Sequence, residues 1–455
     1  MRAGRAVTAA LTALGVVVGA AANAAAAPGH PEPGHGARQC TVQSGRSPQT
    51  AVPEEVGLDG PALAQAVSFA AGRNRTNVQV YRHNCLVAAG PHNAETGHVA
   101  WNVWSVTKTV VSMVTGIAVD EGKLDIHAPI DRYLPPGVGD RAHRAIKVVD
   151  LLTETSGLRQ GVATEGVTAI LQVDTNNPVQ ALALPMDYRP GTRFVYSQRT
   201  VDLLVYVVQR AIGEDFQAFA QRKLFDPMGI HSSDYFWARD RAGNTYGYAH
   251  LMIPPDDLAK VGLLMANRGR WADRQLVSAR YMDAATTPTD TNRCYGYLIW
   301  LSGWGCWGDS TGLPPGAFTA SGMMSQHTLV LPHLDMMISW TGLGGSVNPD
   351  GIIGQLDSGA ELIHTFMRGL LGSVRDTPTR VPGPYIQPPP RDVQVGDVAD
   401  FDIVRAVLGT GPYAYPGCTF DRCLGVPLAP PFAGAPPGCL VQICLGPDPR
   451  TPGIH

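Results

Sequence analysis

Between Pro53 and Leu371 the apolar pattern changes character twice, and that change limits the folds open to the chain. Val78 to Tyr81 and Leu86 to Ala89 read as a strand pair behind a helix that starts at Asp59-Gly60-Pro61 and runs to about Gly72. From about Asp125 to Pro288 the spacing is helical with Pro and Gly punctuation, most clearly at Thr200 to Ile212, Glu214 to Phe225 and Pro255 to Ala266. Short β runs return at Tyr295 to Leu301, Thr328 to Leu331 and Met336 to Trp340, and Ile352 to Leu371 closes as a helix. Strands on both sides of a helical insert predict an α+β fold: an antiparallel sheet flanked by terminal helices, with an all-α lobe beside it. Hydrophobic residues make up 44% of the chain, enough for a large core and against wholesale disorder. The near-balance of 38 acidic and 35 basic side chains argues against a nucleic-acid partner, which needs a basic surface.

The ends read differently. Arg2 and Arg5 precede an apolar run from Ala6 to Ala22, and Ala22-Asn23-Ala24 offers a small-residue cleavage site. Residues 1–27 are therefore expected to be an export signal, short and Ala-rich for the alternative of a retained anchor. A secreted protein without stable membrane insertion follows, and residues 28–52 form an N-terminal segment before a body at 53–372. In an oxidising compartment the eight cysteines are expected to pair. Spacing suggests Cys418 with Cys423, Cys439 with Cys444 and Cys294 with Cys306, leaving Cys40 and Cys85. Residues 373–455 are Pro/Gly-rich and carry a small repeat: Pro416-Gly417-Cys418 with Cys423-Leu424-Gly425, then Pro437-Gly438-Cys439 with Cys444-Leu445-Gly446. This tail reads as a linker with two cysteine-clamped loops, with attachment to the cell wall or a partner as the alternative to a passive end.

The sharpest chemical signal is Ser105-x-x-Lys108, opening a helix through Val111, Met113, Val114 and Ile117 with Gly122 at its end. A serine hydroxyl is a poor nucleophile until a base takes its proton. At a helix N-terminus its oxygen lies near the positive end of the dipole, and i, i+3 spacing puts Lys108 on the same face. A desolvated lysine loses its proton readily and can then accept one from serine. The tetrapeptide alone reads more readily as a helix cap followed by a surface lysine; Trp101, Val103 and Trp104 in front of it favour burial.

Here the chain resembles the serine β-lactamase-like and penicillin-binding superfamily. The resemblance rests on Trp104-Ser-Val-Thr-Lys108 with Glu121-Gly-Lys-Leu124-Asp125, on Leu124 to Pro135, and on Val149-Asp-Leu-Leu-Thr-Glu-Thr-Ser156-Gly157-Leu. It continues through Pro190-Gly-Thr-Arg-Phe-Val-Tyr196-Ser, Asp256-Asp257-Leu-Ala-Lys260-Val-Gly262 and Tyr295-Gly296-Tyr-Leu-Ile-Trp300. These blocks stand in order across Pro53 to Leu371. The look is nearest to class C β-lactamases, type-VIII esterases, D-aminopeptidases and 6-aminohexanoate-dimer hydrolases. The resemblance implies Ser105 as nucleophile, Lys108 as its partner and Tyr196 as the tyrosine that, as a phenolate or a hydrogen-bond relay, shuttles the proton to the leaving group. It also implies an oxyanion hole from the backbone N–H groups of Ser105 and Met323. Ser321, Gly322 and Gln198 would lie against the substrate.

Two positions depart from the family pattern. Gln198 stands where many relatives have Asn, and Ala320-Ser321-Gly322 stands where lactamases have Lys-Thr-Gly. Loss of that lysine removes the charge that holds a substrate carboxylate and favours the esterase and amidase branch. The resulting expectation is a secreted serine hydrolase acting on a small-molecule or short-peptide amide or ester, with no cofactor and no metal. The alternatives are a catalytically weak or inactive penicillin-binding-like protein that binds peptide or cell-wall material, and an anchoring protein centred on its tail. A rival nucleophile, Ser310 in Gly308-Asp309-Ser310-Thr311-Gly312, lacks the following helix that such an elbow requires, because Leu313-Pro314-Pro315 comes next.

Overall fold

A computed structural model of the chain describes residues 36–45, 47–303, 306, 311–343, 359–387, 399–431 and 433, with the backbone of 439–440 and 443–444. The expected export signal, Ser310 and the start of the expected Ile352 helix lie outside the described residues.

The helices that matter for the site are α1 (Gly60–Ala71), α2 (Val106–Asp120), α3 (Val162–Ile170), α4 (Arg199–Ile212), α5 (Pro255–Ala266), α6 (Ala360–Ser373) and α7 (Phe401–Val407). The main strands are β1 (Arg75–Arg82), β2 (Cys85–Ala89), β3 (Trp300–Leu301), β4 (Phe318–Gly322), β5 (Gln326–Leu331) and β6 (Met336–Gly342). They form one antiparallel sheet in the order β2-β1-β6-β5-β4-β3. Val78 faces Trp340 and Val80 faces Ile338, so strands from both sides of the helical insert meet in the middle of the sheet. The expected antiparallel sheet with flanking helices and an all-α lobe is what forms.

Side chains on successive strand residues point to opposite faces, and the two faces build two cores. Val78, Val80, Leu329, Leu331, Ile338 and Trp340 pack with Leu63 and Val67 of α1 and Phe366 and Leu370 of α6. Tyr81, Val330, Met337 and Ala320 pack on the other side with α2 and the helical lobe. α2 is the axis of this second arrangement, buried from Val106 to Ala118. Asp59 caps α1 by accepting from Ala62 N, as its position before Gly60-Pro61 suggested.

Three elements differ from expectation. The helix expected at Glu214 to Phe225 starts at Phe216, because Gly213 closes α4 in a left-handed conformation and Asp215 caps the new helix. It widens into a π turn over Gln221–Phe225. The strand expected from Tyr295 to Leu301 is mostly a tight turn with φ +57° at Leu298, and only Trp300–Leu301 joins the sheet. Its backbone is satisfied locally and by neighbours: Gly296 N donates to Ile299 O and Leu298 N to Leu152 O. The closing helix begins, among the described residues, at Ala360.

Disulfides join Cys40 to Cys85, Cys294 to Cys306 and Cys418 to Cys423. The first ties the N-terminal segment to β2. The backbone of Cys439 stands opposite that of Cys444 in a two-residue ladder. Residues 399–431 pack on the helical lobe. Ile403 and Val407 of α7 are buried, Tyr415 Oη accepts from Gly139 N at 3.1 Å, and Arg241 lies over the Phe420 ring at 4.3 Å.

Candidate active site

α2 enters from a small three-stranded sheet in which Trp101 pairs with Ile253 and Asn102 with Met252. Trp104, the residue before the serine, sits at φ +50°, a costly conformation for a bulky side chain. Its N–H donates to Asn102 Oδ1 at 2.9 Å, which holds that turn. Ser105 is then the N-cap of α2 and makes no side-chain cap bond, so its hydroxyl is free for other work. It is half-buried, whereas Lys108 is 1% exposed.

Lys108 Nζ lies 3.4 Å from Ser105 Oγ, 2.7 Å from Gln198 Oε1 and 3.4 Å from the Tyr248 carbonyl oxygen. It also stands 4.3 Å from the centre of the Tyr196 ring. Burial pushes the amine down to about 8, against the opposing pull of Glu154, Asp202 and Glu165. Burial and the Glu154 charge push the Tyr196 phenol up, while the Ser105 side chain works the other way. Tyr196 is thus held as a neutral phenol beside the buried amine.

On the other side of Ser105 the end of β4 arrives. Gly322 needs to be glycine here. A Cβ at this position would overlap the Val103 carbonyl oxygen and lie 3.3 Å from Ser105 N. That approach sets the backbone of Gly322–Met323 beside the N-terminus of α2. Ser321 is buried opposite His327 in the ladder, and Met323 is half-buried at the strand end. Position 320 is a fully buried alanine, so the strand carries no charge there. Arg75 Nη1 donates to the carbonyl oxygens of Met324 at 3.1 Å and Ser325 at 2.8 Å, fixing the turn after Met323 where both residues have φ near +60°.

Phe194, Tyr196, Tyr295 and Trp300 make an aromatic wall, with Tyr196 and Trp300 5.5 Å apart between ring centres. The structure thus brings Ser105, Lys108, Tyr196, Gln198, Ser321, Gly322 and Met323 to one place. Gln198 is committed to Lys108 through its carbonyl oxygen. Sequence reading missed two buried carboxyl groups here, Glu154 and Glu165. Burial pushes Glu154 up to about 8 and Glu165 up to about 7. Glu154 stood inside a quoted motif block, but burial, the property that makes it notable, is not visible in one sequence. Among the described residues no cluster of His, Cys, Asp and Glu side chains is placed to hold a metal ion. A cavity of about 680 Å³ beside Leu313, Leu331, His364 and Pro382 contains none of the site residues.

The chain is similar to an N-acetylmuramyl-L-alanine amidase of Bacillus subtilis, 24% identical over 225 residues that cover 38% of this chain and 51% of that protein. It is similar to Esterase EstB of Burkholderia gladioli, 29% identical over 148 residues that cover 29% of this chain and 37% of the esterase. The chain thus spans about half the length, or less, of these curated relatives. Its fold matches a putative 6-aminohexanoate-dimer hydrolase from Bacillus anthracis with a TM-score of 0.55 at 12% identity, over 72% of this chain and 89% of that one. The family model described as Beta-lactamase matches residues 63–352, from α1 to beyond β6, and the chain belongs to that family.

Proposed function

We propose that this chain is an exported serine hydrolase that cleaves an amide or ester through an acyl-enzyme on Ser105. The observation that carries the reading is Lys108: a fully buried amine 3.4 Å from Ser105 Oγ, whose proton affinity burial lowers to about 8. In its neutral form Lys108 takes the Ser105 proton as Oγ attacks the substrate carbonyl carbon. The carbonyl π electrons move to oxygen, which the backbone N–H groups of Ser105 and Met323 receive. Each such donor contributes about 3 kcal/mol to the transition state. Collapse reforms the carbonyl and breaks the bond to the leaving amine or alcohol. The leaving group takes up a proton from the Tyr196 hydroxyl, which Lys108 replenishes. Water then attacks the acyl-enzyme with the same groups acting in reverse order, releasing a carboxylic acid and restoring Ser105.

The aromatic wall and the absence of a cation at position 320 support an uncharged, partly apolar acyl group and the amidase or esterase branch. The names of the relatives, an amidase and an esterase, support the same reading. The disulfides, together with the absence of a described helix long and apolar enough to cross a membrane, are consistent with an extracellular protein. Residues 53–372 form the catalytic body in this reading, and 373–455 are an accessory end. The test is Ser105→Ala on p-nitrophenyl esters, with intact-mass analysis after a fluorophosphonate. Loss of turnover and a single adduct on Ser105 are expected. Undiminished turnover, or an adduct on Ser310, would sink the assignment.

A further inference from the structure

Glu154 is placed where a hydrolase of this kind needs an explanation for it. It is 1% exposed, and it stands at φ +52°, a backbone conformation that glutamate rarely adopts. Its two ends grip the residues on either side of Tyr196. The Glu154 main-chain oxygen accepts from Val195 N at 3.0 Å, and its Oε2 accepts from Ser197 N at 3.2 Å. Tyr196 is thereby held between two hydrogen bonds to one residue. The hold extends along the segment, because Ser156 Oγ pairs with Thr200 Oγ1 at 2.7 Å and Ser197 Oγ accepts from Thr200 N at 3.0 Å.

The carboxylate also faces the groups that move the proton. Around it stand Lys108 from α2, Tyr196 and Ser197 from the segment before α4, Tyr295 from the turn before β3, and Glu165 from α3. Lys108 in turn faces Ser105, Gln198, Tyr248, Asp202, Glu165 and His250. Of the carboxylates near Lys108, Glu154 has the strongest pull on it. Asp202 is occupied elsewhere by Arg199, Asn177 and Gly247.

We propose that Glu154 is a positioning residue for the acyl-transfer reaction: its main-chain oxygen and its carboxyl group together clamp Tyr196 in place. The inference rests on the reading of Ser105 as nucleophile. The clamp is tested by substitution. Glu154→Gln keeps an oxygen for Ser197 N. Glu154→Ala removes it.

The experiment is the rate of fluorophosphonate labelling of Ser105, read by intact mass, on the full chain and both variants. Urea midpoints serve to confirm folding. Glu154→Gln should keep the rate within about threefold, because its amide oxygen still accepts from Ser197 N. Glu154→Ala should lower the rate about tenfold, the worth of one lost hydrogen bond. If the folded Gln variant labels as slowly as the Ala variant, the inference is overturned. It is also overturned if the Ala variant labels at the wild-type rate. No label on Ser105 in the wild-type chain would instead overturn the reading of the site on which the inference rests.

Discussion

Gln198 and Arg199 are neighbours in the chain, yet their side chains enter two buried polar clusters built on opposite rules. Arg199 is saturated. It reaches Asp174 at 2.8 Å and Asp202 at 3.4 Å, and those carboxylates accept further bonds from Tyr246 Oη at 3.0 Å and Gly247 N at 2.7 Å. Burial works against the Arg199 charge, but Asp174, Glu165 and Asp202 outweigh it, and the guanidinium stays charged. Gln198 instead meets Lys108, which makes no ion pair among the described residues. Its charge is carried only by neutral oxygens and more distant carboxylates, so burial prevails and the amine is driven down to about 8. A saturated cluster fixes helices; an under-compensated one keeps a proton within easy exchange. In the proposed hydrolase, stability and catalysis ask for different electrostatics only one residue apart.

Four substitutions or titrations sharpen or break that contrast. Ser105→Ala should lower turnover by about 10⁴-fold or more while leaving the urea midpoint unchanged, because it removes the proposed nucleophile and not the packing. Arg199→Met should do the reverse. With two carboxylates left buried and unpaired, stability should fall by about 3–5 kcal/mol in urea unfolding. A loss under about 1 kcal/mol there would break the assignment of this cluster to structure. Gly322→Ala should cost about a hundredfold in kcat/KM with a small effect on KM, since its Cβ forces β4 away from Val103 and displaces an oxyanion donor.

The smallest effect is a titration. Lys108 must be neutral to act as base, and burial holds it at about 8. Below that pH the protonated fraction grows, so kcat/KM should fall about tenfold per pH unit on the acid side and level off above about 8. A flat profile between pH 6 and 9 would remove Lys108 from the role of base.

Much of the architecture was legible along the chain. Strand runs on both sides of a helical insert told of a sheet assembled from two ends, and the near-continuous apolar runs at Met336 to Trp340 and Thr328 to Leu331 fit strands covered on both faces. α1, α4 and α5 lay within a residue or two of their expected limits, since caps and apolar spacing are local properties. The turn at Leu298 was not legible. Its φ of +57° depends on Leu152 and Ala285, which are remote in sequence. The docking of 399–431 on the helical lobe was equally hidden, because a Pro/Gly-rich composition describes the backbone and not the surface it meets.

The division at the site has the same origin. The sequence by itself determined which groups are present and which lie one helical turn apart: Ser105 and Lys108 share a face because of backbone geometry alone. It also carried the ordered blocks that place the chain in its family. Only the tertiary structure decided that Lys108 is dry, that Gln198 takes its shortest hydrogen bond, and that Gly322 abuts Val103. It also decided that a glutamate at 154 sits buried against the tyrosine at 196. Burial and electrostatic balance are sums over residues brought together from the whole chain, so no local pattern can encode them.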